Sequence, residues 1–414
     1  MNPIPEKPFF YATLILIALL LLTGGFLSFR HHGGVVFPDE LEYNTLADNL
    51  VKYRMFTWDG TTPTASRPPG IIVWIALWKS LGVGWSGLVW INSLLVTAAM
   101  WVLTKAWFPR EKLWQGRAVV FGLLFCYPIY HYVLSTLYPQ AFCLALIAFS
   151  LALLLGKGTW WRAVLAGLLM GWCTLAAPLY LTWAGVLALV PIFQKRLAGL
   201  VTAAIFGVAF TAVIASWGAR NVAVMGKFVP FSTNSGYNLL IGNCENTRPN
   251  AGLNIDTFQY RVAAYGMSET EADAFFSASA KKWVVENPSD AASMYFQKLV
   301  NYFNFRNELV IKSAGSTQRD ILMFVTYYGL LALLVARFIF WRFAGVPQWK
   351  EWLVLVGYAA CAMFASIVVT RIRYRIPCDV LALFVIAPFL MAIAEEVLRQ
   401  LLGRKRKPAS PIDY

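Results

Sequence analysis

The sequence predicts an all-α polytopic membrane protein. Only 14% of its 414 residues are charged, whereas about a quarter of the residues in a soluble domain are charged. Apolar runs of about twenty residues recur along the whole chain, and each is long enough to cross a bilayer as a helix. The segments of about ten residues with alternating hydrophobicity that mark an outer-membrane barrel are lacking in the sequence.

Ten transmembrane helices are predicted. The first apolar run, 9–29, is too long for a signal-peptide core and no A-x-A cleavage site follows it, so we interpret it as an uncleaved helix. The nine further helices are expected at 85–106, 118–135, 139–156, 161–177, 179–194, 197–217, 319–341, 351–370 and 376–397. The apolar segment 70–82 is too short to span, so it is expected to lie along the membrane interface or to re-enter the membrane.

Basic residues collect in alternate connections, which predicts the orientation of the chain. These connections are 107–117, 157–162, 195–196, 342–350 and 398–414. Because positive loops remain in the cytoplasm, both termini are expected there, in agreement with an even number of helices. The net charge of +14 is explained in the same way, so membrane lipids, and not nucleic acid, are the expected charged partners.

The predicted orientation divides the chain into three parts. Residues 1–217 form an N-terminal transmembrane module, and its first periplasmic loop, 30–84, carries an acidic motif. Residues 218–318 form a polar periplasmic domain, because long loops without a function are uncommon and this one contains helical patterns. Residues 319–414 contribute the last helices and a basic cytoplasmic tail. Neither a P-loop nor a GxGxxG motif is present to bind a nucleotide.

An acidic pair follows the first helix in the stretch FPDELEYNTLADNL. Asp39 and Glu40 stand where acids suit the positive end of a helix, so N-terminal capping is one interpretation. The other is catalytic, because a carboxylate at a membrane interface lies in a low dielectric, which raises its pKa towards that of a good general base.

Basic residues in three predicted periplasmic segments have two interpretations as well. Arg67 lies in TASRPPG, and RIRYRIP contains Arg373, Tyr374 and Arg375. Each cluster could anchor lipid headgroups, or could bind a phosphate, whose oxygens match the guanidinium fork. Arg220 and Asn221 begin a stretch rich in Ser, Thr, Asn and Gly, which is typical of turns and also of sugar-binding surfaces.

Neither a metal nor a cofactor is expected. The six cysteines are scattered, four of them in apolar runs, and their spacing fits neither a metal site nor a disulfide framework. His31 and His32 are adjacent, and a pair alone is weak evidence for a metal site.

The order of the motifs resembles that of the C-type membrane glycosyltransferases. DE-x₂-Y, A-x-N-L and RPPG are followed by SW-x₂-RN-x₄-GKFVPFSTNSGYNLLIGN, by NPSDAASMYFQKLVNYF and by RYRIP, over about residues 9–395. The chain looks most like the bacterial relatives of dolichyl-phosphate-mannose protein mannosyltransferases and of the aminoarabinose lipid A transferase. The resemblance implies an inverting transferase that moves a sugar from a polyprenyl phosphate, expected to be undecaprenyl phosphate, to an acceptor outside the cytoplasmic membrane.

The resemblance also implies roles for particular residues. The protein is expected to be a monomer of the bacterial inner membrane, and its acceptor is expected to be a glycan, a lipid or a protein. The catalytic acid of the first loop corresponds to Asp39, with Glu40 beside it to tune or position it. The donor phosphate is expected to bind Arg67, Arg220, Arg373, Tyr374 and Arg375. Substrate contacts are expected from Tyr43, Asn221, Asn243 and Gln140.

Two positions depart from the pattern of these relatives. Gln140 stands where many of them carry a Glu at the start of the fourth helix, and Ala177 stands before Pro178 where an Arg is usual. The first change favours a mechanism with Asp39 as the single base. Two other functions remain open: a flippase or transporter of lipid-linked sugars, and a glycan polymerase or ligase that uses a lipid diphosphate. The paired, broken helices of many transporters are not evident in the sequence.

Overall fold

The computed structural model of the protein describes residues 6–30, 37–156, 159–250, 254–306 and 317–404. In these ranges the chain forms helices and no strands, apart from an isolated bridge between Thr57 and Pro63. The predicted all-α class is therefore confirmed. The helices of the first half are α1 (Lys7–Arg30), α2 (Pro38–Tyr53), α3 (Pro69–Ser80), α4 (Trp85–Trp107), α5 (Leu113–Phe125), α6 (Pro128–Leu134), α7 (Gln140–Leu155), α8 (Trp160–Ala176), α9 (Leu181–Ala188) and α10 (Val190–Lys195).

The second half is equally helical. Its helices are α11 (Gly199–Met225), α12 (Ser235–Gly242), α13 (Phe258–Ala263), α14 (Glu269–Glu286), α15 (Pro288–Tyr302), α16 (Thr317–Ile339), α17 (Trp341–Ala344), α18 (Trp349–Ile367) and α19 (Ile372–Arg404). Helices α12 to α15 lie in the predicted polar domain. They have a small core of their own, in which Leu240, Cys244 and Ala280 are buried together.

Six helical segments of the described ranges are long and apolar enough to cross a membrane. They are Lys7–Phe29, Trp85–Trp107, Pro178–Met225, Thr317–Ile339, Trp349–Ile367 and Ile372–Gln400, and a bent pair, Arg110–Phe125 with Pro128–Leu134, would make seven. This number supports a multi-pass membrane protein, and ten spans remain a prediction. Helices α3, α7 and α8 are also apolar but shorter.

The continuous helix predicted at 118–135 is wrong. The chain breaks between α5 and α6, which are bent by 75° relative to each other. The cause is Pro128, because a proline disfavours helical backbone in the residue before it. Tyr127 has φ −103° and ψ 97°, outside the helical region.

The segment Pro178–Met225 contains a break that the sequence did predict. As one straight helix its 48 residues would be about 72 Å long, far more than a bilayer core. The chain turns at Arg196, whose φ is 51°, and Gly199 packs against the backbone of Pro191. Basic residues 195–196 therefore mark a turn between α10 and α11.

Helices α7 and α19 form the centre of the bundle. Helix α7 is buried along nearly its whole length and packs against α4, α8 and α19. It is hydrophobic on all sides, as expected of a helix that is surrounded by others. Both helices begin at the same end of the bundle as the acidic and basic motifs, whereas ion pairs such as Lys112–Glu395 lie at the other end.

The glycine of RPPG allows α3 to approach α8 closely. A Cβ at Gly70 would lie 2.7 Å from the carbonyl carbon of Leu175, which is closer than packed atoms approach. The backbone oxygen of Gly70 also accepts a hydrogen bond from Trp172 Nε1 at 2.9 Å. This contact fixes the start of α3, three residues after Arg67.

We predict that Gly70→Ala destabilises the protein by about 1–3 kcal/mol, because the added methyl group forces α3 away from α8. The measurement is the unfolding temperature in detergent. Gly207→Ala in α11 is the control, because nothing lies within 4 Å of a Cβ at Gly207 and alanine favours the helix. Equal stability of the two variants would show that the close approach is unimportant.

Candidate functional site

The carboxylate of Asp39 lies between two arginines that are distant in the sequence. Its Oδ2 is 2.8 Å from Arg373 Nη2 and its Oδ1 is 3.5 Å from Arg67 Nη2. Asp39 is in the first turn of α2, Arg373 is in the first turn of α19, and Arg67 precedes α3. The structure therefore brings together three of the predicted site residues, and the side chain of Asp39 is still 13% exposed.

Glu42 joins this group as a second carboxylate. Its Oε2 contacts both Nε and Nη2 of Arg67. Two carboxylates and two guanidinium groups then balance in charge, and the pair of carboxylates shares one helix face because residues three apart are neighbours on a helix. Sequence reasoning missed Glu42, although its spacing from Asp39 was the signal that could have found it.

Nearby negative groups raise the pKa of Arg67 more than burial lowers it. Burial lowers the pKa of its guanidinium, but Tyr43, Glu42 and Asp39 raise it, and the net pKa lies above the usual arginine value. Arg67 is therefore a permanent cation that can bind an anion.

Glu40 has a different role from Asp39. Its carboxylate is buried and accepts hydrogen bonds from the backbone N–H groups of Phe37, at 3.1 Å, and Leu137, at 2.8 Å. The first bond caps α2, and the second ties α2 to the loop before α7. The two interpretations of the acidic pair thus apply to different residues: Glu40 caps the helix, while Asp39 faces the arginines. We expect Glu40 to act as a positioning residue.

Aromatic rings surround the guanidinium of Arg373. It lies 4.0 Å from the centroid of the Tyr138 ring and 5.5 Å from that of Tyr374, distances typical of cation–π contacts. Tyr43 is buried beside the ion pairs, where burial and then the charge of Asp39 raise the pKa of its phenol above the usual value. Tyr43 is therefore a neutral hydroxyl group that can donate a hydrogen bond.

Arg375 lies apart from this group, inside the bundle. It is fully buried, pairs with Asp379 at 3.2 Å and donates to the carbonyl oxygens of Tyr302 and Asn304. Asp379 also accepts hydrogen bonds from Tyr127, at 2.7 Å, and Tyr358, at 2.6 Å. This network joins α19 to α15, α18 and the α5–α6 break, so its placement favours a structural role for Arg375 over the predicted phosphate contact.

Arg220 and Asn221 hold loops at the end of α11. Arg220 Nη1 donates to the carbonyl oxygen of Thr64 at 2.8 Å, and Nη2 donates to that of Phe56 at 3.3 Å. Asn221 is buried and donates to the carbonyl oxygen of Val229 at 2.8 Å. Both side chains therefore contact backbone, and neither contacts Asp39 through a hydrogen bond among those in the described residues.

The two other predicted substrate contacts are buried as well. Asn243 donates to the carbonyl oxygens of Leu239 and Ile367, each at 2.8 Å. Gln140 is the first residue of α7, next to the loop that Glu40 holds, and its Oε1 has no hydrogen-bond partner in the described part of the chain.

A buried lysine fastens the polar domain to the bundle. Lys298 Nζ donates to the carbonyl oxygens of Gly242, Ile367 and Val368 at 2.8, 3.4 and 3.2 Å. Two of these carbonyls end α18, so the ammonium group also caps that helix. Burial lowers the pKa of Lys298 to about 8. The bonds fix the backbone a few residues before Arg373, and nothing in the local sequence of α15 indicated this.

Among the described residues no group of three or more His, Cys, Asp or Glu side chains could hold a metal ion. His31 and His32 lie outside the described residues. The carboxylates of Asp39 and Glu42 form ion pairs with arginines.

Comparison of the chain with protein families, with characterised proteins and with solved structures finds no match.

We predict that Arg375→Ala lowers the free energy of unfolding by about 3–5 kcal/mol, because it leaves the Asp379 carboxylate buried without its cation. The double variant Arg375→Gln/Asp379→Asn, which removes both charges, should recover much of that loss. Arg373→Ala, in which a partly exposed group is lost, should cost less. Unfolding temperatures in detergent measure all three. A stable Arg375→Ala variant that fails to bind a donor would contradict the structural role and support the predicted phosphate contact of Arg375.

Proposed function

We propose that the protein is an inverting glycosyltransferase that moves a sugar from a polyprenyl phosphate to a cell-envelope acceptor at the periplasmic face of the inner membrane. The observation that carries the proposal is the Asp39 carboxylate between Arg67 and Arg373, partly exposed at one end of an apolar helical bundle. A lipid-linked sugar phosphate needs these three features: cations for its phosphate, a proton acceptor for the reaction, and an apolar body for its chain.

The arginines bind and stabilise the phosphate. The acceptor hydroxyl oxygen attacks the anomeric carbon from the side opposite the phosphate, and the bond between that carbon and the phosphate oxygen breaks. The bonding electrons leave with the phosphate, whose charge Arg67 and Arg373 offset. The proton of the hydroxyl group passes to Asp39, so the products are the glycosylated acceptor and polyprenyl phosphate, and the configuration is inverted.

The Asp39 carboxylate itself occupies both arginines in the structure. Its two oxygens make the ion pairs that a phosphate would make. Binding of the donor draws the guanidinium groups towards the phosphate and releases the carboxylate, which then becomes available as a base. The carboxylate is thus released from its ion pairs, and able to accept the proton, only when a donor is bound.

The wider arrangement is part of the same proposal. Ten membrane crossings, with both termini in the cytoplasm, place the polar domain 218–318 and the Asp39 site on the periplasmic side. The two arginines lie at the membrane surface, where the donor phosphate is, and membrane lipids surround the exposed apolar helices. The acceptor is a glycan, a lipid or a protein, and the enzyme acts as a monomer.

Labelling of single cysteines tests the orientation. In a Cys126→Ser background, which lacks the exposed native cysteine, a membrane-impermeant maleimide should label Tyr265→Cys in intact spheroplasts, because Tyr265 is 92% exposed in the polar domain. Lys112→Cys, at the other end of the bundle, should react only after lysis. Labelling of Lys112→Cys from outside would invert the proposed orientation.

Asp39→Asn tests the chemistry. The change keeps the size of the side chain but removes the proton acceptor, so the rate of sugar transfer should fall by about 10²–10⁴. Binding of the donor should be retained or become tighter, because no carboxylate then competes with the phosphate for the arginines. Glu40→Gln is the matched control, and its rate should fall less. The measurement is transfer and binding with purified enzyme, a polyprenyl-phosphate sugar and the native acceptor.

Near wild-type turnover in a folded Asp39→Asn variant would contradict the proposal. The products separate the other functions: a ligase releases polyprenyl diphosphate, and a flippase releases neither lipid phosphate.

A further inference from the structure

The backbone of Thr64 and Ala65 is held by residues from the polar domain and from the end of α11. Ala65 N donates to Glu269 Oε1 at 2.9 Å, and the carbonyl oxygen of Ala65 accepts a hydrogen bond from Thr233 N at 2.9 Å. The carbonyl oxygen of Thr64 accepts from Arg220, and the Thr64 hydroxyl group donates to Glu269 Oε2 at 2.6 Å. Both residues are buried, so these bonds lie where water does not replace them.

These hydrogen bonds on the backbone of Thr64 and Ala65 are called the clamp below, and Glu269 is at its centre. It is the first residue of α14, about two hundred residues from Thr64 in the sequence. Its carboxylate is not needed to cap that helix, because Glu271 and Ser268 already form the capping box. Glu269 instead accepts hydrogen bonds from Thr64, Ala65 and Thr233. A charged acceptor of this kind makes stronger bonds than a neutral one.

The clamp lies next to Arg67. Ala65 is two residues before it, and Pro68 and Pro69 follow it. A proline fixes its own φ and restricts the residue before it, so the chain has little freedom between the clamp and the start of α3. The start of α3 is itself fixed by the packing of Gly70 on α8. The backbone of Arg67 is thus fixed on both sides, by the hydrogen bonds at Ala65 and by the packing of Gly70.

We propose that Glu269 is a positioning residue for Arg67, through which the polar domain sets the arginine against Asp39. The catalytic part of this inference rests on the proposed function. The structural part does not: without Glu269, residues 64–67 should open and Arg67 should leave its carboxylate partners.

Two readouts that need no activity test the structural part. The first is hydrogen exchange of the full-length protein in detergent, in which the Ala65 amide of Glu269→Ala should exchange about fivefold faster or more, as expected for the loss of one to two kcal/mol of local stability. The second is modification by phenylglyoxal, in which Arg67 should react faster once it is released from Glu42 and Asp39. Peptide mapping by mass spectrometry measures both.

The chain offers two matched comparisons. Glu269→Gln keeps one oxygen acceptor and should show intermediate rates in both readouts. Glu286→Gln removes an exposed carboxylate from the other end of α14, where it pairs with Lys282, and should behave as the wild type. Unchanged exchange of the Ala65 amide in a folded Glu269→Ala variant would show that Glu269 does not hold this backbone. Faster exchange of that amide with unchanged modification of Arg67 would show that the clamp does not position the arginine.

Kinetics test the catalytic part. Glu269→Ala should raise the KM for the donor, because Arg67 binds the donor phosphate, and should also lower kcat, because Arg67 offsets the charge that the phosphate gains as the bond breaks. Glu269→Gln should restore much of both. An unchanged KM with a mobile Arg67 would overturn the positioning role. If the wild type transfers no sugar, the proposed function fails, while exchange and modification still decide whether Glu269 holds Arg67.

Discussion

The sharing of one carboxylate by two arginines is the interaction on which the site depends. Asp39 and Arg373 are 334 residues apart in the sequence, and Arg67 comes from a third segment. Removal of any one of them leaves like or uncompensated charges close together at the end of an apolar bundle, where the dielectric is low. The fold must therefore hold three backbones in place at once, and the polar contacts around the site serve that purpose.

Each charged group of the site is supported by a separate backbone contact. Glu40 fixes the start of α2, Glu269 and Arg220 fix the chain before Arg67, and Lys298 fixes the chain before Arg373. These four side chains bind main-chain groups, so they fix the position of the site without pairing with its charged groups. The bundle below supplies the rigid frame, with α7 and α19 at its centre.

The sequence predicted the all-α class, a connection at residues 195–196, and a set of site residues of which the structure joins Asp39, Arg67 and Arg373 by ion pairs. Local patterns were sufficient for the first two, whereas the set of site residues was expected from the predicted orientation and from the order of motifs that resembles that of the C-type glycosyltransferases. The sequence did not separate Arg373 from Arg375, because residues two apart on a helix point about 200° from each other, and that phase is known only once α19 is seen to begin at Ile372. Glu269 and Lys298 escaped notice because their partners are distant backbone groups, which leave no local pattern. Pro128 was a local signal for the break between α5 and α6, but it lies within an apolar run that was predicted as one continuous helix.

The most direct test is a cryo-electron microscopy structure of the Asp39→Asn variant with a polyprenyl-phosphate sugar bound. We predict that the phosphate lies within hydrogen-bonding distance of both Arg67 and Arg373, with the anomeric carbon facing residue 39 and the lipid chain against the apolar helices. A phosphate bound elsewhere, with the two arginines still held by Glu42 and neighbouring aromatic rings, would contradict the account.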